Sequence, residues 1–259
     1  MKNLTYKLIL LLLIAFGKGY GFSKLKGIYP FFASQKDSIR SIQMEIDHLF
    51  SRSLELSSLK PLEQYSKGLA ANKEGYAENS IQYWQAYAAY QKAVYYLIQE
   101  NLSASEESCD FGIDLLNRND NKNSEDYALL ANLEAFSIQF KGAKVLVIAP
   151  RLRKHARKAI ALDSLNLRAY YVLGSNDYYT PKQYGGGKKT EFYLKKALSI
   201  PPKRSPNSLS PNWGREGSYA LLAQFYLKEN FPTKALDIIN EGLLVFPESY
   251  QLKNLLKKL

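Results

Sequence analysis

A chain of 259 residues with 46% hydrophobic and 23% charged residues has enough apolar material for a substantial core, in one elongated domain or two small ones. A single cysteine, Cys109, excludes an internal disulfide framework, and the two histidines, His48 and His155, are far apart and without a ligand-spaced partner, which argues against a metal centre. The formal charge of +11 is lopsided: up to Phe140, 14 Lys and Arg stand against 16 Asp and Glu, net −2, whereas from Lys141 onward 21 stand against 8, net +13.

At the N-terminus, Lys2 and Lys7 precede or open an apolar run, Leu8–Phe16, and the small residues Gly17, Gly19 and Gly21 follow. That is the order of a secretory signal peptide, here over residues 1–21. The run is far shorter than the roughly 20 residues a spanning helix needs, so a signal anchor is the weaker alternative. No cysteine follows it, which argues against a lipid anchor. The mature protein is expected to be exported, periplasmic or envelope-associated in a bacterium, and free of spanning segments. Residues 22–75 are expected to supply capping helices. Ser38–Leu59 carries Ile39, Ile42, Ile46, Phe50 and Leu54 at spacings of three and four, and a shorter helix is expected over Leu62–Leu69 after Pro61.

From residue 76 to 259 the patterns are helical, and the expected class is all-α. Trp84, Tyr87 and Ala88 open a first pair closed by Ser103–Leu116, with Ala104, Cys109 and Gly112 as its small contact residues. Tyr127, Leu130 and Ala131 open a second, whose partner is the basic run Arg151–Leu162 with Ala156 and Ala159 facing inward. Tyr170, Leu173 and Gly174 open a third, completed by Ala197 and Pro202 after an insertion over Thr180–Lys188. The valine-rich run Lys144–Ile148 lacks a partner strand.

The segment Glu216–Pro247 is the most regular. Ala223 on one helix, with Ala235 and Gly242 on the next, marks the line where two antiparallel helices can approach closely. Leu222, Tyr226, Ile238 and Ile239 supply the apolar stripe, and Pro247 ends the unit. With Tyr219 they resemble the 34-residue tetratricopeptide repeat, with Tyr where Trp is common and Ile where Phe is common. The same template, with longer loops, covers the three earlier pairs. The resemblance implies an α-solenoid of about four helix pairs, capped at its N-terminus by residues 22–75 and at its C-terminus by Tyr250–Leu259, where Leu252, Leu255, Leu256 and Leu259 form one apolar side. An irregular helical bundle with one true repeat is the competing architecture.

Partners of the tetratricopeptide family lie along the groove made by the first helix of each repeat. Carried over, the groove positions are Gln85 and Lys92 in the first pair, Asn132 in the second, Arg168, Tyr171, Ser175 and Tyr178 in the third, and Gln224 and Lys228 in the last. Polar and amphipathic residues at such positions suit an extended protein or peptide partner, and the basic C-terminal half suits an acidic one. No nucleic-acid motif accompanies that charge, and an exported protein seldom meets nucleic acid. The cluster Arg151, Arg153, Lys154, Arg157 and Lys158 is expected to be a solvated basic face.

Tyr184-Gly185-Gly186-Gly187-Lys188-Lys189 is not a phosphate loop of the nucleotide-binding kind: Gln183 stands where the first glycine belongs, Lys189 replaces Ser or Thr, and no strand precedes it. Its glycines are expected to adopt positive φ after Pro181 stops the helix. This loop and its flanks, Leu165–Pro202, resemble an insertion in exported proteins such as the periplasmic T components of TRAP transporters, which implies a small-ligand carrier as the second function. No catalytic constellation is evident. Glu106, Asp110 and Asp114 share a helix face without an evident basic partner, and Ser175 and Ser218 lack a histidine in context. Cys109 lies among Glu106, Glu107, Asp110 and Asp114, which disfavour a thiolate. The expected protein is a non-catalytic scaffold without a cofactor.

Overall fold

The computed structural model describes residues 41–71, 78–202 and 209–259, so the proposed signal peptide and residues 22–40 of the cap lie outside it. Among the described residues there are eleven α-helices and no strand, packed in neighbouring pairs. The described residues divide into two compact units, one of residues 41–71, 78–122, 132–152 and 209–210, the other of residues 123–131, 153–202 and 211–259.

In the first unit, α1 (Ile42–Leu56) packs on α2 (Lys60–Ala71) and α3 (Glu78–Ile98), and α3 pairs with α4 (Leu102–Asn117). Ser41 caps α1 by accepting the Met44 N–H at 3.2 Å, and the helix ends where Ser57 turns left-handed at φ 50°. Ile42 and Ile46 are buried, while Phe50 and Leu54 are half-buried. Trp84 on α3 is almost wholly enclosed, with Tyr83 and Tyr87 edge-on to it at 4.9 and 5.7 Å. Ala86, Ala89 and Ala93 let α4 approach, as the small-residue pattern requires. On α4, however, Ser105 rather than Ala104 makes the contact, its hydroxyl donating to the Ala93 carbonyl at 2.7 Å.

Cys109 is fully buried on the same face, its thiol donating to the Leu133 carbonyl at 3.2 Å. Burial, and then the Asp110 carboxylate, push its pKa well up, beyond any range in which the thiolate forms at neutral pH. Treatment of the native chain with a chromogenic disulfide reagent at pH 8 should therefore leave Cys109 unmodified, with full reaction only in denaturant. Rapid native labelling would show that α4 opens from its partners in solution.

Helix α5 (Ser124–Ser137) and helix α6 (Val145–Leu162) contribute residues to both units. Helix α6 starts six residues before the basic run expected to form it, because the valine-rich segment after the turn Gly142–Lys144 is helical and continues through Pro150. Ala156 and Ala159 face inward as expected, and both are fully buried.

In the second unit, α7 (Leu167–Tyr179) pairs with α8 (Thr190–Ser199), α8 with α9 (Arg215–Lys228), and α9 with α10 (Pro232–Val245). The α9–α10 turn is local chemistry: Asn230 takes φ 61°, the Phe231 N–H donates to the Tyr226 carbonyl at 2.8 Å, and Pro232 starts α10. Ala223, Ala235 and Gly242 are all buried along the crossing, where a Cβ at Gly242 would lie 2.6 Å from Leu252 Cδ1. Leu252 and Leu255 of α11 (Tyr250–Leu256) close this core. Leu256 and Leu259 instead remain exposed, because a helix of two turns presents only a narrow stripe to its neighbours.

Candidate functional site

The second unit brings several of the predicted groove residues together. Its geometry begins at Asn166, which caps α7 by accepting the Ala169 N–H at 3.1 Å and donates to Ser124 Oγ at 2.7 Å. Ser124 Oγ in turn donates to the Ala159 carbonyl at 2.9 Å, which ties the first turns of α5 and α7 to the end of α6. At about 100° per residue, Tyr171, Ser175 and Tyr178 then share one face of α7. Helix α9 packs along that helix, and Gly217, Gln224 and Lys228 share one of its faces at spacings of seven and four.

The two faces meet. A Cβ at Gly217 would lie 2.9 Å from Tyr171 Cε2, so the tyrosine ring rests directly on the α9 backbone, with Trp213 edge-on at 6.3 Å. Lys228 Nζ sits 4.7 Å from the centre of the Tyr178 ring. Burial raises the hydroxyl pKa of both Tyr171 and Tyr178, with Glu216 adding to the first and Glu229 to the second. Ser175 is half-buried, as is Gln224, whose Oε1 is buried without a hydrogen-bond partner among the described residues. The result is a rail of aromatic, amide and cationic groups along α7 and α9, in which Tyr178 is buried, Tyr171, Ser175 and Gln224 are half-buried, and Lys228 is the exposed member.

Three of the other predicted groove residues have partners within the protein. Arg168 is buried, its guanidinium forked onto the Glu125 carboxylate and donating to the Pro211 carbonyl at 3.1 Å. Its position on the helix turns it toward α5 rather than toward solvent. In the first unit, Gln85 Nε2 donates to the Ser66 carbonyl at 3.5 Å and Lys92 pairs with Glu63 at 3.1 Å. Both contacts reach across to α2, which packs beside this part of α3. Asn132 is half-buried on α5.

Sequence patterns also missed contacts between residues far apart in the chain. Asp47 on α1 accepts from Tyr87 and Gln91 at 2.8 Å each, which docks α1 on α3. The acidic face of α4 does have a basic partner: Lys141 bonds Glu106 at 2.7 Å and Asp110 at 2.6 Å. Within the basic run, Arg151 pairs with the buried Glu134 at 2.6 Å, while Lys154, Arg157 and Lys158 are exposed.

The glycine insertion is a tight, internally bonded loop. Gly185 and Gly187 adopt φ 87° and 82°, the left-handed conformations expected for them. Gly186 has a different reason: a Cβ there would lie 1.8 Å from the Thr180 carbonyl oxygen. Asp177 holds the far side, its main-chain carbonyl accepting from Gly187 N–H at 2.9 Å and its carboxylate from Lys189 N–H and Thr190 Oγ1 at 2.8 Å each. That carboxylate thus ties the start of α8 to the end of α7.

Among the described residues no group of three or more His, Cys, Asp and Glu side chains is placed to hold a metal, and no helix is long and apolar enough to cross a membrane. Comparison with protein-family models and with curated proteins finds no match to the chain.

Proposed function

We propose that this chain is an exported, tetratricopeptide-like α-solenoid that binds an extended, acidic segment of a protein partner along the α7–α9 face, without catalysis. The observation that carries the reading is the rail itself, in which Tyr171 rests on Gly217 and Lys228 is held over Tyr178. Lys228 is exposed and its ammonium is oriented by the ring, so a carboxylate could approach it without displacing an internal partner. The unpartnered Gln224 oxygen adds an acceptor whose desolvation, of about 1–3 kcal/mol, a donating peptide amide would offset once the side chain turned outward. Supporting the solenoid are the buried small residues of α3, α6, α9 and α10, spaced most regularly in α9 and α10.

The test is capture of partners from an envelope extract by the chain, repeated with Tyr171→Ala and Lys228→Glu. Each substitution is expected to lower recovery of a specific partner by about tenfold, the loss of one interface anchor. Recovery unchanged by both would overturn the assignment of this face.

A further inference from the structure

The face of α7 opposite the rail, carrying Leu173, Asn176 and Asp177, lines a separate cleft in the second unit. Its volume is about 230 Å³, below the roughly 300–1,000 Å³ of sites for drug-sized ligands, so it suits a compact group. Arg153 and Arg157 from α6, Lys189 at the start of α8, and Tyr184 and Tyr193 converge on it.

The charge balance of the lining is uneven. Three cations stand against one carboxylate, Asp177, whose Oδ2 already accepts from Lys189 N–H and Thr190 Oγ1. Among the described residues Arg153 makes a single long bond, 3.4 Å, to Asn176 Oδ1. Arg157 and Lys189 are exposed, and among the described residues neither makes an ion pair. Two guanidinium groups and one ammonium offer more donors than the two oxygens of a carboxylate can accept. A tetrahedral dianion has the oxygens and the charge to use them.

We propose that this cleft binds phosphate, free or as the head group of a small phosphomonoester, with Arg153, Arg157 and Lys189 on the anion and Tyr184 and Tyr193 beside whatever it carries. The site is independent of the α7–α9 rail, and its test needs no protein partner. The full chain is titrated with inorganic phosphate, phenyl phosphate and acetate at constant ionic strength, following the amide resonances of Gly185–Lys189 by NMR. Saturable shifts with phosphate are expected, with Kd raised about tenfold by Arg157→Gln and by Lys189→Gln and unchanged by Lys257→Gln at the exposed C-terminus. Both cations are at the surface, so the variants keep the native helical circular dichroism. Tighter binding of phenyl phosphate identifies a phosphomonoester site, and equal affinity identifies a site for the free anion. Shifts that do not saturate, that acetate reproduces, or that both variants leave unchanged overturn the proposal.

Discussion

Arg168→Ala is expected to destabilise the second unit by about 3–5 kcal/mol, the cost of removing one partner from a buried ion pair. Only 7% of the Arg168 side chain and 16% of the Glu125 side chain reach solvent, so the remaining carboxylate would be poorly hydrated. The Pro211 carbonyl would also lose its donor. Glu125 would retain the favourable field of the α5 N-terminus, worth about 0.3–1 kcal/mol, which is too little to replace a forked guanidinium. Arg168→Lys should recover little, since an ammonium cannot reproduce the two parallel bonds. The pair Arg168→Met with Glu125→Met should recover most of the loss, because the buried charge is then removed from both sides. The measurement is urea unfolding followed by the fluorescence of Trp213 in a Trp84→Phe background, which isolates a reporter in the second unit. With a slope of about 2 kcal/mol/M, Arg168→Ala shifts the midpoint down by about 2 M. A loss below about 1 kcal/mol would mean that the pair is solvated, and Arg168 would return to the list of groove candidates.

Arg168 also shows where the sequence stops being informative. Helix pairing was legible because its signal is local: small residues at Ala223, Ala235 and Gly242 must recur at fixed intervals for two helices to touch, and all three are buried where the interval places them. The left-handed turn at Gly185 and Gly187 was legible for the same reason. A side chain's partner across the fold leaves no such trace. Arg168 meets Glu125 over 43 residues, Lys141 meets Asp110 over 31, and Tyr87 meets Asp47 over 40. Each looks in sequence like an ordinary solvated charge or an aromatic on a helix. Gln85 and Lys92 illustrate the same point, since their partners Ser66 and Glu63 lie on a helix that the template does not contain.

The basic cleft combines both situations. Its parts were each visible, as a run of cations in Arg151–Lys158 and as a glycine loop ending in Lys188 and Lys189, but 32 positions separate Arg157 from Lys189 and no periodicity joins them. Joining them falls to the loop's backbone bonds. Tyr184 N–H donates to the Pro181 carbonyl at 2.8 Å, Gly185 N–H to the Lys182 carbonyl at 3.0 Å, and Gly187 N–H to the Asp177 carbonyl at 2.9 Å. This folds the insertion back on the end of α7, and Asp177 then fixes the start of α8 through Lys189 and Thr190.

Gly186→Ala should therefore be the most damaging substitution in the insertion. The added Cβ would lie 1.8 Å from the Thr180 oxygen, 2.5 Å from its carbon and 2.9 Å from the Asp177 oxygen. All three are backbone atoms, so no side chain can swing aside, and relief requires opening the loop. Overpacking of this kind costs about 3 kcal/mol, which at roughly 3 °C per kcal/mol lowers the melting temperature by about 9 °C. Gly185→Ala and Gly187→Ala meet open space and are penalised only for positive φ, about 1–2 kcal/mol each. The expected order in calorimetry is thus a large loss for Gly186→Ala and a smaller, similar loss for the other two. Because opening the loop moves Tyr184 and Gly185 away from Arg157, Gly186→Ala should also abolish saturable phosphate shifts at temperatures where the helices remain folded. Equal losses at the three glycines would show that conformation, and not contact with the Thr180 carbonyl, sets the loop, and the close packing that holds the cleft together would have to be abandoned.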